Sequence, residues 1–218
     1  MENMPELMDY LGNKLWHLEN TYLVLSEVYL HYNVAVDKEA AQAYLKVINS
    51  HKGFFMPVVK ALEFELYTGM HSYLGKKDAR SLGKAVNKLA SSKGGIDLTK
   101  QYDELLNKHT KIIHAIEVLR DKRLAHDDVE VIEVGETLTS DAQFISLFKD
   151  VKIFLNSVMR RYNKAEWFMD GDAREAIKDT HDLMNTLLRG ESQRLNEIDV
   201  EFTDVSYRSG KTKWLASE

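Results

Sequence analysis

In the run Leu119-Arg120-Asp121-Lys122-Arg123-Leu124-Ala125-His126-Asp127-Asp128, Arg120 and His126 are the side chains best suited to chemistry. A guanidinium is a planar fork that stays charged and stabilises negative charge on phosphate oxygens. An imidazole beside it moves a proton near neutral pH. Together they suit cleavage of a phosphodiester. Asp121 and Asp127 are the nearest groups to orient Arg120 and His126, while Lys122 and Arg123 are placed to hold flanking phosphates. The other role open to all four is an ordinary surface salt bridge.

Spacing alone does not select this pair. A six-residue step along a straight helix leaves the two side chains roughly 120° apart around the axis, so they converge only if the helix ends near Ala125 or His126. The carboxylates of Asp127 and Asp128, unfavourable where helix carbonyls point out, predict such an end. Arg174 and His181 form a second arginine-to-histidine step, on one helical face, and about one such pair is expected by chance from composition. The first pair stands out by its context: Asp121 directly after the arginine, the extra charge of Lys122 and Arg123, and a place at the end of an apolar helix.

That helix is predicted from Leu98, Leu105, Leu106, Ile112, Ile113, Ile116 and Leu119, which recur at helical spacing and open near Asp97 or Thr99. Ahead of it, Leu7, Leu11, Leu15, Leu18, Tyr22, Leu25 and Tyr29 predict one long amphipathic helix over 5–32, with Trp16 as an anchor. Asp37 is expected to cap a second helix to about Ile48. Pro57 places the start of a third no earlier than about Gly53, with Phe54, Phe55, Val58, Leu62 and Leu66 along it to about Tyr73. Gly75 ends that helix, and Asp78 is expected to cap a shorter one to about Leu89. On it Arg80, Lys84 and Lys88 stand four apart as a positive stripe, either a solvated face or a phosphate track toward Arg120.

After the motif, 129–134 is rich in β-branched residues and is expected to be a short extended segment, paired with the tail around 200–207. A further helix is predicted over 141–167, and Asp170-Gly171-Asp172 separates it from a last one ending near Leu195. The expected organisation is one all-α domain, residues 1–198, followed by an extended arm, 199–218.

The chain has 218 residues, 44% hydrophobic and 29% charged, with two prolines and a net charge of −5. It is long enough for a sizeable core, and its net charge excludes a generally basic nucleic-acid coat, so RNA would need a local patch of cations. The absence of cysteine removes disulfides, thiolate zinc sites and thiol nucleophiles. No His-Glu-x-x-His helix, phosphate loop, nucleophile elbow or dinucleotide fingerprint occurs, and no metal or cofactor is expected. His109 and His114, five apart, splay around a helix; His17, His31, His51 and His71 are isolated. The acidic N-terminus and lack of a long apolar run point to a cytoplasmic chain with no membrane partner.

The motif resembles that of the HEPN superfamily, which carries an arginine, four to six residues, then a histidine. The run Arg-Asp-Lys-x-x-Ala-His-Asp from Arg120 to Asp127 is most similar to the abortive-infection AbiU-type branch. The resemblance implies a HEPN-like helical bundle over about 1–190, and a metal-independent endoribonuclease that acts as a toxin or phage-defence effector. It also implies a homodimer with a composite active site and leaves room for a neutralising protein partner. The alternative is a non-catalytic helical interaction or regulatory protein of a defence system.

Overall fold

Eight helices form the described part of the chain, in a computed structural model that covers residues 4–29, 38–90, 96–125, 141–161 and 172–197. They are α1 (Met4–Tyr29), α2 (Lys38–Ser50), α3 (Lys52–Leu74), α4 (Leu82–Ala90), α5 (Ile96–Lys108), α6 (Thr110–Ala125), α7 (Asp141–Arg161) and α8 (Asp172–Glu197). No strand occurs among the described residues, so the all-α reading holds. The proposed extended segment 129–134, its tail partner 200–207 and the arm 199–218 lie outside the described residues.

α1 is the axis of the bundle. Leu7, Met8, Leu11, Leu15 and Leu18 are buried, and α3, α7 and α8 all pack on this helix. Aliphatic residues at three- and four-residue steps make a stripe that must be covered, and a helix covered from several sides becomes the centre. α7 runs antiparallel to α1: Tyr22 stacks on Phe144 with centroids 5.0 Å apart, and Lys152 reaches Glu19 at 2.6 Å. α5 in turn runs antiparallel to α7, since Arg161 meets Asp97 at one end and Lys108 meets Asp150 at the other.

Two glycines fix close approaches. A Cβ at Gly69 would strike the Leu18 side chain, so α3 lies against α1 there. At Gly83 it would sit 2.8 Å from the Gly75 carbonyl oxygen and 3.1 Å from the Tyr102 hydroxyl. The start of α4 is thus pressed onto the end of α3, where Tyr102 donates a buried hydrogen bond to the Leu74 carbonyl.

Helix α4 begins later than the sequence predicts. Ser81, not Asp78, is its cap: the Ser81 hydroxyl accepts the Lys84 N–H at 3.1 Å and donates to the Asp78 carbonyl at 3.0 Å. Arg80 is therefore in the turn before the helix. The junction of α2 and α3 is also tighter than expected. His51 keeps a helical bond to Val47, while its carbonyl accepts both Phe54 and Phe55 N–H groups, so the chain turns at one residue. Pro57 lies inside α3 and denies Gly53 a partner for its carbonyl, but Gly53 stands in open space where water reaches it.

A carboxylate pins that junction. Glu191 on α8 is buried, takes a bidentate Arg194 at 2.7 and 2.8 Å, and faces His51 at 3.5 Å. The Arg194 hydrogen bonds hold its carboxyl at about 2, well below the usual value. A depressed carboxylate contributes stability above its unfolded pKa that is lost as pH falls through the folded one. Between about pH 4.5 and 2, the unfolding free energy of the wild type in urea titrations should therefore fall by about 1–2 kcal/mol more than that of Glu191→Gln, given that Arg194 is one-third exposed. Parallel curves would refute the assignment.

Candidate active site and nucleic-acid interface

The predicted motif helix is two helices, broken at His109. The Leu105 carbonyl accepts the His109 N–H at 3.3 Å, a long bond, and the Thr110 hydroxyl competes for the Asn107 and Leu106 carbonyls at 2.8 and 3.3 Å. Such back-bonding bends helices. The apolar series still behaves as one face: Leu98, Leu105, Ile112, Ile116 and Leu119 are buried, with Leu106 and Ile113 half-buried against them.

Arg120 follows that face on α6. Its side chain is 24% exposed, and its Nε and Nη2 both donate to one oxygen of Asp121, at 2.8 and 2.5 Å. Asp121 is itself exposed, so an incoming phosphate competes with a solvated carboxylate and not with a buried one. A guanidinium anchored on a buried helix, with a replaceable partner, can accept a bidentate phosphate.

The structure brings Arg120 and Asp121 together. Lys122 and Arg123 lie on the last turn of α6, with their side chains outside the described residues; His126 and Asp127 lie wholly outside them. The stripe of Arg80, Lys84 and Lys88 does not form along one helix. Arg80, in the turn before α4, places its guanidinium 5.2 Å from the centre of the Tyr10 ring on α1, because the Ser81 cap starts the helix after it. Lys84 is exposed on α4 and Lys88 is half-buried.

Sequence reasoning passed over His109. It is buried, and its Nε2 lies 2.7 Å from the Asp150 carboxylate, whose same oxygen meets Lys108 at 2.5 Å. Burial would raise the Asp150 carboxyl, but the hydrogen bonds from Lys108 and His109 outweigh it and hold the group below its ordinary value. The signal was present in the spacing: Leu105, His109, Ile112 and Ile116 share one face, so a histidine stands in an apolar stripe and must find a polar partner.

Of the second arginine-to-histidine pair, His181 is taken up by packing, and the side chain of Arg174 lies outside the described residues. His181 on α8 meets Glu27 of α1 at 2.5 Å through Nε2, and Tyr44 of α2 at 3.2 Å through Nδ1. Tyr44 donates to Asn185 at 3.1 Å, and its phenol is raised by burial and then by Glu27. Of the histidines taken as isolated, His17, His51 and His71 each lie within 4.0 Å of a glutamate oxygen. Among the described residues no three His, Asp or Glu side chains converge as a metal site, and no helix is long and apolar enough to cross a membrane.

Comparison with curated proteins and with solved structures returned no match. A family model did match: AbiU2, of the HEPN type, over residues 8–190 of 218. The matched span runs from α1 into α8 and contains the Arg120 to His126 motif. The chain belongs to the AbiU2 branch of the HEPN superfamily.

Proposed function

We propose that this protein is a metal-independent endoribonuclease of the phage-defence or toxin–antitoxin type, active in the cytoplasm. The observation that carries the reading is the Arg-x5-His motif inside the matched family span, with Arg120 anchored on a buried helix face and tied only to an exposed neighbour in the contacts described above. In the proposed reaction the 2′-hydroxyl of the RNA attacks the adjacent phosphorus. The O2′–P bond forms and the P–O5′ bond breaks. A neutral His126 takes the 2′ proton, and a protonated second histidine gives a proton to the leaving 5′-oxygen. Arg120 stabilises the charge that builds on the phosphate oxygens.

One chain brings one histidine in this motif, so the reaction calls for a homodimer in which the partner's His126 completes the site. Lys122 and Arg123 hold flanking phosphates, and Lys84 extends the cationic surface. A protein that cuts cellular RNA needs restraint, which makes a neutralising protein partner part of the proposal.

The nucleophile belongs to the substrate, already held beside the phosphorus. End-labelled RNA incubated with the protein in excess EDTA should be cleaved to 2′,3′-cyclic phosphate ends, while DNA of the same sequence stays intact. Cleavage that requires added Mg²⁺ and leaves 3′-hydroxyl ends would overturn the mechanism.

A further inference from the structure

Helix α3 is apolar on two opposite sides. Phe55, Val59, Leu66, Met70 and Tyr73 are buried in the bundle. Phe54, Pro57, Val58, Ala61 and Phe64 recur at three- and four-residue steps on the other side and are exposed, Phe54 at 66% and Phe64 at 46%. Between Phe54 and Phe64 the only charges are Lys60 and Glu63. Single exposed apolar residues are ordinary, but a contiguous stripe marks a surface that something covers.

We infer that the exposed side of α3 is where a second copy of this chain docks, antiparallel, to build the composite site; the inference rests on the ribonuclease reading above. Three features favour a copy over a different protein. The stripe reads alike in both directions at four positions: aromatic rings at 54 and 64, small residues at 57 and 61 between them, with Val58 set against Lys60. Turned about a two-fold near residue 59, each Phe54 meets the partner's Phe64 and each Pro57 the partner's Ala61, as an isologous contact demands.

The second feature is the position of α6. It packs along α3, with Glu117 4.0 Å from His71, and His71 lies on the same flank of α3 as Phe64, seven residues on. A two-fold perpendicular to an antiparallel helix pair keeps each flank on its own side. Both α6 helices, each bearing Arg120 three residues after Glu117, then face a common side of the dimer.

The third is area. A stable interface covers roughly 800 Å² per partner, and an eleven-residue helix face about 15 Å long supplies about half of it. The remainder lies next to the stripe: α6 on one flank, and Leu195, 46% exposed, at the Phe54 end, where Glu191 brings α8 to His51.

The natural absence of cysteine makes the test direct. The full chain should behave as a dimer in sedimentation at micromolar concentration, and Val58→Asp with Ala61→Arg should halve its mass with an unchanged far-ultraviolet circular dichroism spectrum. Ala61→Cys should crosslink to a dimer with a short bis-maleimide, whereas Lys149→Cys on the exposed side of α7 should not. A monomeric wild type, one that pairs only with a different protein, or equal crosslinking at both cysteines overturns the assignment. A double variant that stays dimeric overturns this face and leaves the composite-site reading standing. One that becomes monomeric yet cuts RNA at the wild-type rate supports the face and overturns the composite site.

Discussion

Alanine at Arg120 or at His126 is expected to lower RNA cleavage by about a hundredfold or more, the scale on which a charge stabiliser or a proton-transfer group contributes. The fold should not change with it in the Arg120 variant. The guanidinium partner described above is Asp121, an exposed neighbour in sequence, and an exposed pair of this kind contributes about 1 kcal/mol or less to stability. Arg120→Lys tests the fork separately from the charge: a compact ammonium cannot make two parallel bonds to one phosphate, so activity should recover only in part. His181→Ala is the control. It removes a contact to Glu27 and Tyr44 and should soften the packing of α8 on α1 and α2 while leaving the rate per folded molecule unchanged. If expression of the wild type slows growth, Arg120→Ala at equal abundance should relieve the defect. A rate loss in His181→Ala, together with full activity in Arg120→Ala, would mean that the chemistry belongs to the other pair.

The second large effect concerns the fold itself. Gly83→Ala places a methyl group 2.8 Å from the Gly75 carbonyl oxygen, 3.0 Å from Lys76 Cγ and 3.1 Å from the Tyr102 hydroxyl. The lysine can yield, but the carbonyl is main chain at the end of α3, and the hydroxyl is held by the Leu74 carbonyl. Overpacking against such neighbours costs about 3 kcal/mol. Chemical denaturation should show the loss, whereas Gly190→Ala on α8, where an added Cβ meets nothing, should leave stability level or raise it. A Gly83→Ala protein as stable as wild type would show that α4 can shift away from α3 freely.

Periodicity carried most of the architecture. Apolar steps of three and four located α1 and α3, because those helices bury continuous stripes; α7 and α8 were placed by the breaks that flank them. The same pattern hid the break at His109, since Leu105 and Ile112 remain on one face across the bend and hydrophobicity does not register a hydroxyl competing for two carbonyls. The α4 cap was misplaced because Asp78 and Ser81 are both good capping residues, and the choice between them is made by the Gly75–Gly83 contact, which sequence does not display. The cation stripe failed for a related reason: spacing of four means one face only inside a helix, and Arg80 precedes it. Arg120 was legible through the family motif more than through geometry, as the equal presence of Arg174 and His181 makes plain. The exposed stripe of α3 was in view as composition, but only burial separates its Phe54 from its Phe55.

The pairing of α1 with α8 joins residues more than 140 positions apart, as Glu27 and His181 do directly. Contacts so distant in sequence cannot form on the ribosome until α8 has emerged. Through most of synthesis α1 therefore lacks one wall of its groove, and the leucines that face α8 stay uncovered. Under the ribonuclease reading proposed above, that interval is a time when restraint can act on the nascent chain, before the bundle closes.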